Sequence, residues 1–506
     1  MDCTGGNRRG ALGAALTLAV ALATAPAVGG AAQATAPAAT ADVNARQADG
    51  STVLLWAAYR GDTARVAELL KAGADVSLAN NYGATPMAEA ARTGNAEVLR
   101  LLLKAGADPE SPNGEGQTAL MAVARTGDIE AARLLLKHGA KVDARELWGG
   151  QTALIWAAAQ KQPQMIQFLL KQGADANARA IVRDWQRRVT AEGRPKDMNR
   201  GGFTPLLYAA REGCLACAVA LVKGTANVNL PDPDGTTPLT LALMNGQWNV
   251  AKFLIESGAD VNAWDFWGQS PLYMAVDMNI LPGGARIELP SMDETTGVEV
   301  IKLLLAKGAN PNVQLKLRPP YRQAVFDRGA DGALVTGATP LMRAAVAADL
   351  DAIDLLLKAG ALVDLPNEDG VSPFVAAVSA AGTRGRDKTE ARAVEAMKLL
   401  KAAGANVNTA NRRGLTAAHS AAFRGWHDAI KLLASYGANL DAREVDNLTP
   451  LDFAMGRSRV GFLQTKPPVR NDTAAVLRAA GATAENPKLP PWPAIPTPTL
   501  TAQVPE

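Results

Sequence analysis

Residues 83–108 read GATPMAEAARTGNAEVLRLLLKAGAD, and a similar stretch returns along nearly the whole chain. It predicts a turn, a short helix, a tight bend, a longer helix and a closing Gly-Ala-Asp. A fixed period of this size indicates a solenoid of stacked helix-turn-helix units, of which we count eleven over residues 41–485. The turn glycine recurs, mostly every 33 or 34 residues, at Gly50, Gly83, Gly116, Gly150, Gly202, Gly235, Gly268, Gly337, Gly370 and Gly414.

The chemistry of each unit supports helices at these places. Thr85 can cap the first helix with its hydroxyl, and Pro86 suits the first helical position, where an amide hydrogen is not needed. Val98, Leu101 and Leu102 form an apolar stripe on the second helix. One such helix pair cannot bury its apolar face alone, so we expect its stability to come from stacking on the neighbouring units.

These features resemble the ankyrin repeat family, whose pattern is Thr-Pro-Leu-His-x-Ala-Ala, then Gly, Leu-Leu-Leu and Gly-Ala-Asp-Val-Asn. The best local matches are residues 202–229, 235–262 and 414–441, the last with Thr416 and His419 at the expected places. Many of the other repeats carry Met, Thr, Tyr or Val where the family prefers His. The resemblance implies an all-α solenoid with hairpin tips, here carrying long loop insertions.

The first 34 residues differ from the repeats. Arg8 and Arg9 precede an uncharged run over residues 11–25, and Ala32-Gln33-Ala34 is a plausible cleavage site. This layout is typical of a secretory signal peptide, and the alternative is an alanine-rich disordered leader. We therefore expect residues 1–34 to be a signal peptide and the mature protein to be soluble and exported, either periplasmic or secreted from a bacterium.

The remaining boundaries follow from the repeats. Residues 35–40 form a short linker, residues 41–485 form the repeat domain, and residues 486–506 form a proline-rich tail that is either extended or docks elsewhere. The expected insertions lie near residues 179–200, 280–295, 314–335, 382–389 and 456–471. We call residues 179–200 the first finger and residues 314–335 the second finger. Loops of this length are usually functional or disordered, and these two could form jaws over the solenoid.

Charge and histidine content argue against several functions. The formal net charge is +3, and Asp2, Arg8 and Arg9 of the leader account for +1 of it, which is too little for a general nucleic-acid binder. His138, His419 and His427 share no metal-ligand spacing with acidic or cysteine partners. No nucleophile motif is present, so we expect a protein that is not an enzyme and holds no metal or cofactor. We also expect the protein to be a monomer. Apart from the leader, no run reaches the ~20 apolar residues of a membrane span.

Two of the three cysteines lie close together. Cys214 and Cys217 have the spacing of a redox motif, and export would permit a disulfide between them. Cys214 aligns with Asn95 and Cys217 aligns with Val98, so the alternative is a helix-start residue followed by a small buried apolar residue. No histidine follows Cys217, which argues against haem attachment.

The resemblance also implies where a partner binds, because partners of ankyrin-like solenoids usually lie on the concave side, against the hairpin tips and the exposed part of the first helices. The tips include the acidic residues Glu146, Asp232 and Asp265. Aromatic and arginine side chains dominate interface energies. The candidate partner-binding residues are Tyr59, Arg60, Tyr82, Arg92, Arg125, Trp148, Trp185, Arg211, Trp264, Phe266, Trp267, Tyr321 and Arg413.

Each of these candidates has a structural alternative. The aromatic residues at 264–267 could pack on the adjoining insertion, and the arginines could be solvated faces. Trp56, Trp156 and Tyr208 share one position in their repeats, which indicates packing within or between repeats.

The favoured function is an exported, non-catalytic scaffold that binds a protein partner through the concave face, the hairpin tips and the two fingers. One alternative is a small-molecule, anion or enzymatic site in the fingers, built by Arg183, Arg187, Arg322 and Arg328. The other alternative is a secreted effector directed at a host.

Overall fold

The computed structural model describes residues 42–184, 188–191, 194–197, 200–280, 293–317, 335–379, 389–457 and 468–486. Trp185 and Tyr321 lie outside these residues, as do the leader, the linker, almost all of the proline-rich tail and most of the second finger. The larger parts of the insertions near 280–295, 382–389 and 456–471 lie outside them as well.

The described residues form eleven helix pairs, which confirms the predicted number of units. The first helices are α1 (Val53–Arg60), α3 (Pro86–Thr93), α5 (Ala119–Thr126), α7 (Ala153–Ala159), α9 (Pro205–Glu212), α11 (Pro238–Met244), α13 (Pro271–Asn279), α15 (Pro340–Ala347), α17 (Pro373–Val378), α19 (Ala417–Arg424) and α21 (Pro450–Ala454). The second helices are α2 (Thr63–Lys71), α4 (Ala96–Lys104), α6 (Ile129–Lys137), α8 (Pro163–Lys171), α10 (Leu215–Lys223), α12 (Trp248–Glu256), α14 (Gly297–Ala306), α16 (Leu350–Lys358), α18 (Glu390–Ala402), α20 (His427–Ser435) and α22 (Asn471–Ala479).

The first finger departs from the all-α prediction. It contains two short antiparallel strands, β1 (Arg188–Ala191) and β2 (Arg194–Asp197), with Arg188 opposite Asp197. Val182 and Gly201 continue the pairing near the base of the finger. The strands are four residues each and rich in charge, so they carry no alternating apolar pattern that would have predicted them.

The first helices begin as the sequence predicts. The Thr85 hydroxyl accepts a hydrogen bond from the Ala88 amide at 3.2 Å, and Pro86 occupies the first turn. Thr416 forms a different cap, in which His419 Nδ1 accepts from the Thr416 amide at 3.2 Å. The other first helices begin with a cap like that of Thr85, made by Thr52, Thr118, Thr152, Thr204, Thr237, Ser270, Thr339, Ser372 and Thr449.

Each unit packs on its sequence neighbours. First helices contact the next first helix and second helices contact the next second helix, as in α1 with α3 and α2 with α4. Ala90 and Ala91 are fully buried, and their small side chains allow the first helices of neighbouring repeats to approach closely. On α4 the buried stripe is Val98, Leu99 and Leu102 with Leu103, whereas Leu101 is only half-buried. Stability is therefore shared between neighbours along one continuous core.

A polar side chain, buried or half-buried, closes most of the hairpin tips in the part of the chain that the structure describes. Asn80 Oδ1 accepts from the amides of Tyr82 and Ala84, both at 3.0 Å. Gly83 follows with φ +76°, and a Cβ there would lie 2.9 Å from the Gly114 amide nitrogen of the next tip. Equivalent closures are made by Asn113, Glu146, Asp232, Asp265, Asn367, Asn411 and Glu444.

A second series of polar side chains joins the repeats after the second helices, and we call it the side-chain ladder. Asn262 Oδ1 accepts from the Asn310 amide at 2.8 Å, and its Nδ2 donates to the Gly308 carbonyl at 3.0 Å. The pattern arises from the last residue of each closure like Gly-Ala-Asp-Val-Asn, which is Asn or Asp in most repeats and Glu110 in the second. Its other members are Asn44, Glu110, Asp143, Asn177, Asn229, Asn312, Asp364, Asn408 and Asp441.

Candidate functional site

The first two repeats present aromatic and arginine side chains together. The Trp56 and Tyr59 rings lie 5.6 Å apart edge to face, and the Arg92 guanidinium of the next repeat lies 5.4 Å from the centre of the Tyr59 ring. Arg60 lies 5.9 Å from the Trp56 ring. Arg125 is exposed at the matching position of the third repeat. Tyr59, Arg60 and Arg92 therefore form one cluster, and Trp56, which we expected to be packing, belongs to it.

The tips carry the most exposed aromatic side chains. Tyr82 is 76% exposed and Trp148 is 67% exposed, although both belong to well-formed turns. Arg183, at the base of the first finger, donates to the Trp148 carbonyl at 2.8 Å, and the Ile181 amide donates to the Gly149 carbonyl. The first finger is thus bonded to the backbone carbonyls of Trp148 and Gly149, and the Trp148 side chain remains exposed.

Arg211 lies over two aromatic rings rather than in open solvent. Its guanidinium is 4.9 Å from the Tyr208 ring and 5.7 Å from the Phe203 ring, and those two rings are 5.4 Å apart. The Tyr208 hydroxyl accepts from Gln151 Nε2 at 2.7 Å, and burial raises the pKa of this phenol. Arg211 is exposed and its guanidinium also lies 2.9 Å from Glu212, so an ion pair lies beside an aromatic surface made of the buried Phe203 and the half-buried Tyr208.

The tip at residues 264–267 contacts the base of the second finger. Lys316 Nζ lies 2.9 Å from the centre of the Trp264 ring, and the Lys316 amide donates to the Trp267 carbonyl at 2.9 Å. The Phe266 and Trp267 rings stack edge to face. Trp264 is still 56% exposed, so the tip both packs on the insertion and offers aromatic surface.

Asp265 is turned inward between these aromatic side chains. It is 2% exposed, and its Oδ1 accepts from the amides of Trp267 and Gln269 at 3.0 and 2.8 Å. Its Oδ2 has no hydrogen-bond partner among the described residues. Burial raises the pKa of this carboxyl to about 7, and the nearby Asp232 and Asp234 charges add to the shift. We expected Glu146, Asp232 and Asp265 at the tips for contact, but their side chains close the turns.

Arg413 is engaged with the neighbouring tip. Its guanidinium lies 3.1 Å from Asp446 and 3.7 Å from Glu444, and the Val445 amide donates to the Arg413 carbonyl. The arginine is half exposed, so its charge is shared between this ion pair and solvent. Val445, which we did not single out, is the exposed apolar side chain of that tip.

The three histidines lie in separate surroundings. His138 bonds to the Leu134 carbonyl, His427 bonds to Thr473, and His419 is fully buried between Thr416 and the Leu448 carbonyl. Burial lowers the pKa of His419 to about 4. Within the described ranges, no three His, Cys, Asp or Glu side chains are grouped as a metal site. None of the helices in those ranges is long and apolar enough to cross a bilayer.

Cys214 and Cys217 are joined by a disulfide. Cys214 caps α10, and its Sγ accepts from the Cys217 amide at 3.2 Å, while Cys217 is fully buried in the core. The two positions are therefore the helix start and the small buried apolar site that the alignment with Asn95 and Val98 indicated. The bond between the sulfurs is the additional feature.

Family models for ankyrin repeats match most of this solenoid. A model of three ankyrin repeats matches residues 28–113, 106–180, 188–265, 208–283 and 389–464, and a single-repeat model matches residues 336–368. Together the matched segments cover more than half of the chain.

The chain belongs to the ankyrin repeat family.

Similar ankyrin repeats occur in larger proteins. A B-cell lymphoma 3 protein homolog from Mus musculus is 29% identical over 34% of this chain and 40% of its own length. The nuclear factor NF-kappa-B p105 subunit of Gallus gallus is 33% identical over 37% of this chain and 16% of its own. The chain thus spans less than half the length of these relatives.

A solved structure, the ankyrin repeat domain of Bcl-3, is 27% identical to this chain. The match covers 51% of this chain and 99% of that domain, with a TM-score of 0.39. Ankyrin repeats generally serve as non-catalytic scaffolds for protein binding, and the exposed tips of this solenoid fit that general role.

Proposed function

We propose that this ankyrin repeat chain is an exported, non-catalytic scaffold that binds one protein partner along its tips and first helices. The observation that carries the proposal is the exposure of large aromatic side chains at ordered tips: Tyr82, Trp148 and Trp264 are each more than half exposed. Aromatic side chains have few rotatable bonds, so they lose little conformational entropy on binding and commonly become interface hot spots.

The arginines beside these tips favour a protein surface as the partner. Arg92 and Arg211 lie above tyrosine rings, so each combines a charge with an apolar surface. Such pairs suit the mixed aromatic and charged character of protein interfaces better than a uniformly basic groove would. The two fingers adjoin the same edge, because their bases bond to the tips at Trp148 and Trp267.

Two features support export. Residues 1–34 have the layout of a signal peptide, and the Cys214–Cys217 disulfide suits an oxidising compartment. We propose a periplasmic or secreted location, with residues 35–506 as the mature chain. Fractionation of the producing cells, with N-terminal sequencing of the purified protein, tests this directly. A full-length chain that stays in the cytoplasm would contradict it.

Site-specific photo-crosslinking tests the binding surface and identifies the partner in the same experiment. A photoreactive phenylalanine analogue replaces Tyr82, Trp148 or Trp264 in the full chain, which is then irradiated in the producing cells. We expect the same partner to be crosslinked from all three positions, because they lie on one edge of the solenoid. Mass spectrometry identifies the crosslinked protein.

Leu362 provides the matched control. It is 57% exposed and apolar, but it lies beside the side-chain ladder instead of at a tip. The analogue at Leu362 should give no adduct with that partner. With the partner purified, Trp148→Ala and Trp264→Ala should each weaken binding about 30-fold, since hot spots contribute ~2 kcal/mol or more. Equal crosslinking from Leu362 and the tips, or none from the tips of a folded protein, would refute the proposed surface.

A further inference from the structure

The disulfide of the fifth repeat lies at the start of a second helix, where the other repeats manage without sulfur. Asp62, Asn95, Asp128 and Asp349 cap the corresponding helices, each accepting with a side-chain oxygen from the amide three residues later. Cys214 replaces that oxygen with Sγ. A sulfur is a weaker hydrogen-bond acceptor than a carboxylate or amide oxygen, so capping alone does not explain the cysteine.

Packing does not explain the second cysteine, Cys217. Cys217 occupies the buried position that is filled by Val98, Ala131, Ala352 and Ala429 in other repeats. Alanine or valine fills this place fully elsewhere in the same solenoid. The repeat therefore folds around a small apolar residue here, and a thiol adds no packing that these residues lack.

The bond between the two sulfurs also contributes little as a constraint on the unfolded chain. The stabilisation from a disulfide grows with the length of the loop that it closes, and only two residues separate Cys214 from Cys217. A disulfide that stabilises a fold usually joins segments far apart in the sequence. The short loop between Cys214 and Cys217 instead favours a chemically reactive disulfide.

The two sulfurs have different access to solvent. Cys214 is partly exposed, whereas Cys217 is fully buried. Leu215 is 39% exposed and Ala216 is exposed beside it, so the outer sulfur is approached across a small apolar surface. Cys214 is therefore the residue of the pair that solvent reaches, whereas Cys217 is closed off in the core.

The start of α10 also suits a thiolate. Amides at a helix N-terminus stabilise negative charge, and the Cys217 amide already points at the Cys214 sulfur. The first turn of α10 has no acidic residue, whereas α4, α6 and α16 carry Glu97, Glu130 and Asp351 there. The first turn of α10 therefore carries no negative charge that would oppose a thiolate, and the acidic residue nearest in sequence is Glu212, at the end of α9.

From these observations we propose that Cys214 and Cys217 form a thiol–disulfide exchange site, in which Cys214 reacts with external thiol compounds and Cys217 is the resolving cysteine. This activity is additional to partner binding and does not depend on the proposed scaffold function.

The thiol–disulfide exchange proceeds in two steps, each of which forms one sulfur–sulfur bond and breaks another. A thiolate of an external dithiol attacks Cys214 Sγ; a bond forms between those sulfurs, the Cys214–Cys217 bond breaks, and Cys217 leaves as a thiolate that takes a proton from solvent. The second thiolate of the dithiol then attacks its own bonded sulfur and releases Cys214. The dithiol loses two electrons and becomes a disulfide, and the protein disulfide gains them and becomes two thiols.

Single-cysteine variants of the full chain test which sulfur exchanges. All carry Cys3→Ser, so that the leader contributes no thiol. Cys217→Ala leaves Cys214, and Cys214→Asn leaves Cys217; both substitutions copy residues that other repeats have at these positions, such as Ala131 and Asn95, which favours normal folding. Each folded variant is incubated with glutathione disulfide, and the mixed disulfide is followed by intact mass. We expect Cys214 to react at least about tenfold faster than Cys217 because it is accessible and lies at the helix start.

The intact pair provides the second measurement. Dithiothreitol should reduce the disulfide of the folded Cys3→Ser chain, with an unchanged circular dichroism spectrum and a melting temperature close to that of the oxidised form. A Cys217 that captures glutathione as fast as Cys214 would overturn the assignment. So would a disulfide that yields only in denaturant, or a large fall in melting temperature on reduction, because either result would identify a structural bond.

Discussion

Arg343 and Asp277 form an ion pair between the first helices of two neighbouring repeats, with both residues 1% exposed. Arg343 Nη2 also donates to the carbonyls of Asp277 and Ile280, at 3.0 and 2.9 Å. The position of Asp277 corresponds to that of Arg92 in the second repeat, where the side chain is exposed. The seventh repeat thus encloses a charge at a position that the second repeat leaves in solvent.

Removing the arginine should be costly. Arg343→Met leaves the Asp277 carboxylate buried without its guanidinium, and we expect a loss of about 3 to 5 kcal/mol in the free energy of unfolding. Urea denaturation followed by circular dichroism measures it. The exposed pair of Lys358 and Asp354 is the control, since Lys358→Met should cost less than about 1 kcal/mol. Equal effects of the two substitutions would contradict this account.

Asp265 should make the protein less stable as the pH rises. Burial raises its pKa from 3.8 to about 7, so between these values the folded protein holds a proton that the unfolded chain has released. Stability linked to this group is therefore lost as the pH rises through that range, by a few kcal/mol at most, since one pKa unit corresponds to about 1.4 kcal/mol.

The substitution Asp265→Asn tests this dependence. Asn80, Asn113, Asn367 and Asn411 close equivalent tips with an amide oxygen, so asparagine should keep both backbone hydrogen bonds. We expect the variant to be more stable than the wild type at pH 8 and to differ little at pH 4. Thermal melts of the variant and the wild type at both pH values measure the difference. A variant that is no more stable than the wild type at pH 8 would contradict a destabilising buried charge on Asp265.

His419 should act in the opposite direction. Burial lowers its pKa from 6.5 to about 4, so as the pH falls between these values the unfolded chain takes up a proton that the folded protein does not. Stability is therefore lost on acidification through that range. His419→Gln keeps a neutral side chain that can accept from Thr416 and should flatten the loss. Denaturation midpoints between pH 7 and pH 4.5 measure the slope, and parallel slopes for both proteins would disprove the assignment.

The side-chain ladder should stabilise the joints between repeats. Asn262→Ala removes two hydrogen bonds to the next repeat, to Asn310 and Gly308, and should cost about 1 to 2 kcal/mol. Asn439→Ala is the control, because the Asn439 side chain bonds to the Asp441 amide within its own repeat. Chemical denaturation of both variants gives the comparison, and a control that is as damaging as Asn262→Ala would deny the ladder a role between repeats.

Much of the fold could be predicted because each repeat restates the same local chemistry. The Thr-Pro helix starts, the glycines and the closing Gly-Ala-Asp motifs have a fixed period, which is enough to place eleven helix pairs. The position shared by Trp56, Trp156 and Tyr208 shows the limit of this argument. Trp156 and Tyr208 pack against the core, whereas Trp56 lies in the exposed cluster of the first repeats.

The details of the candidate site depend on which residues meet between repeats. Nothing in the local sequence of Asp265 distinguishes a buried carboxyl from an exposed one, because its burial comes from the surrounding tips. Likewise, the contact between Lys316 and Trp264 joins residues that are about fifty positions apart and that belong to different loops. The β-hairpin of the first finger escaped prediction because its strands are short and charged. The identity of a partner is not encoded in the repeat pattern at all.

The side-chain ladder has a consequence for how such a chain changes in evolution. Asn177, Asn229, Asn262 and Asn312 each accept from an amide of the following repeat, at 2.7 or 2.8 Å, although the repeats that they join carry very different insertions. A duplicated repeat would carry its own asparagine, which would accept from an amide of the following repeat. Its own amide would in turn donate to the asparagine of the preceding repeat. The gene can therefore gain or lose whole repeats while the same hydrogen bonds join each repeat to the next. The number of hairpin tips can then change in evolution independently of the side chains that each tip carries.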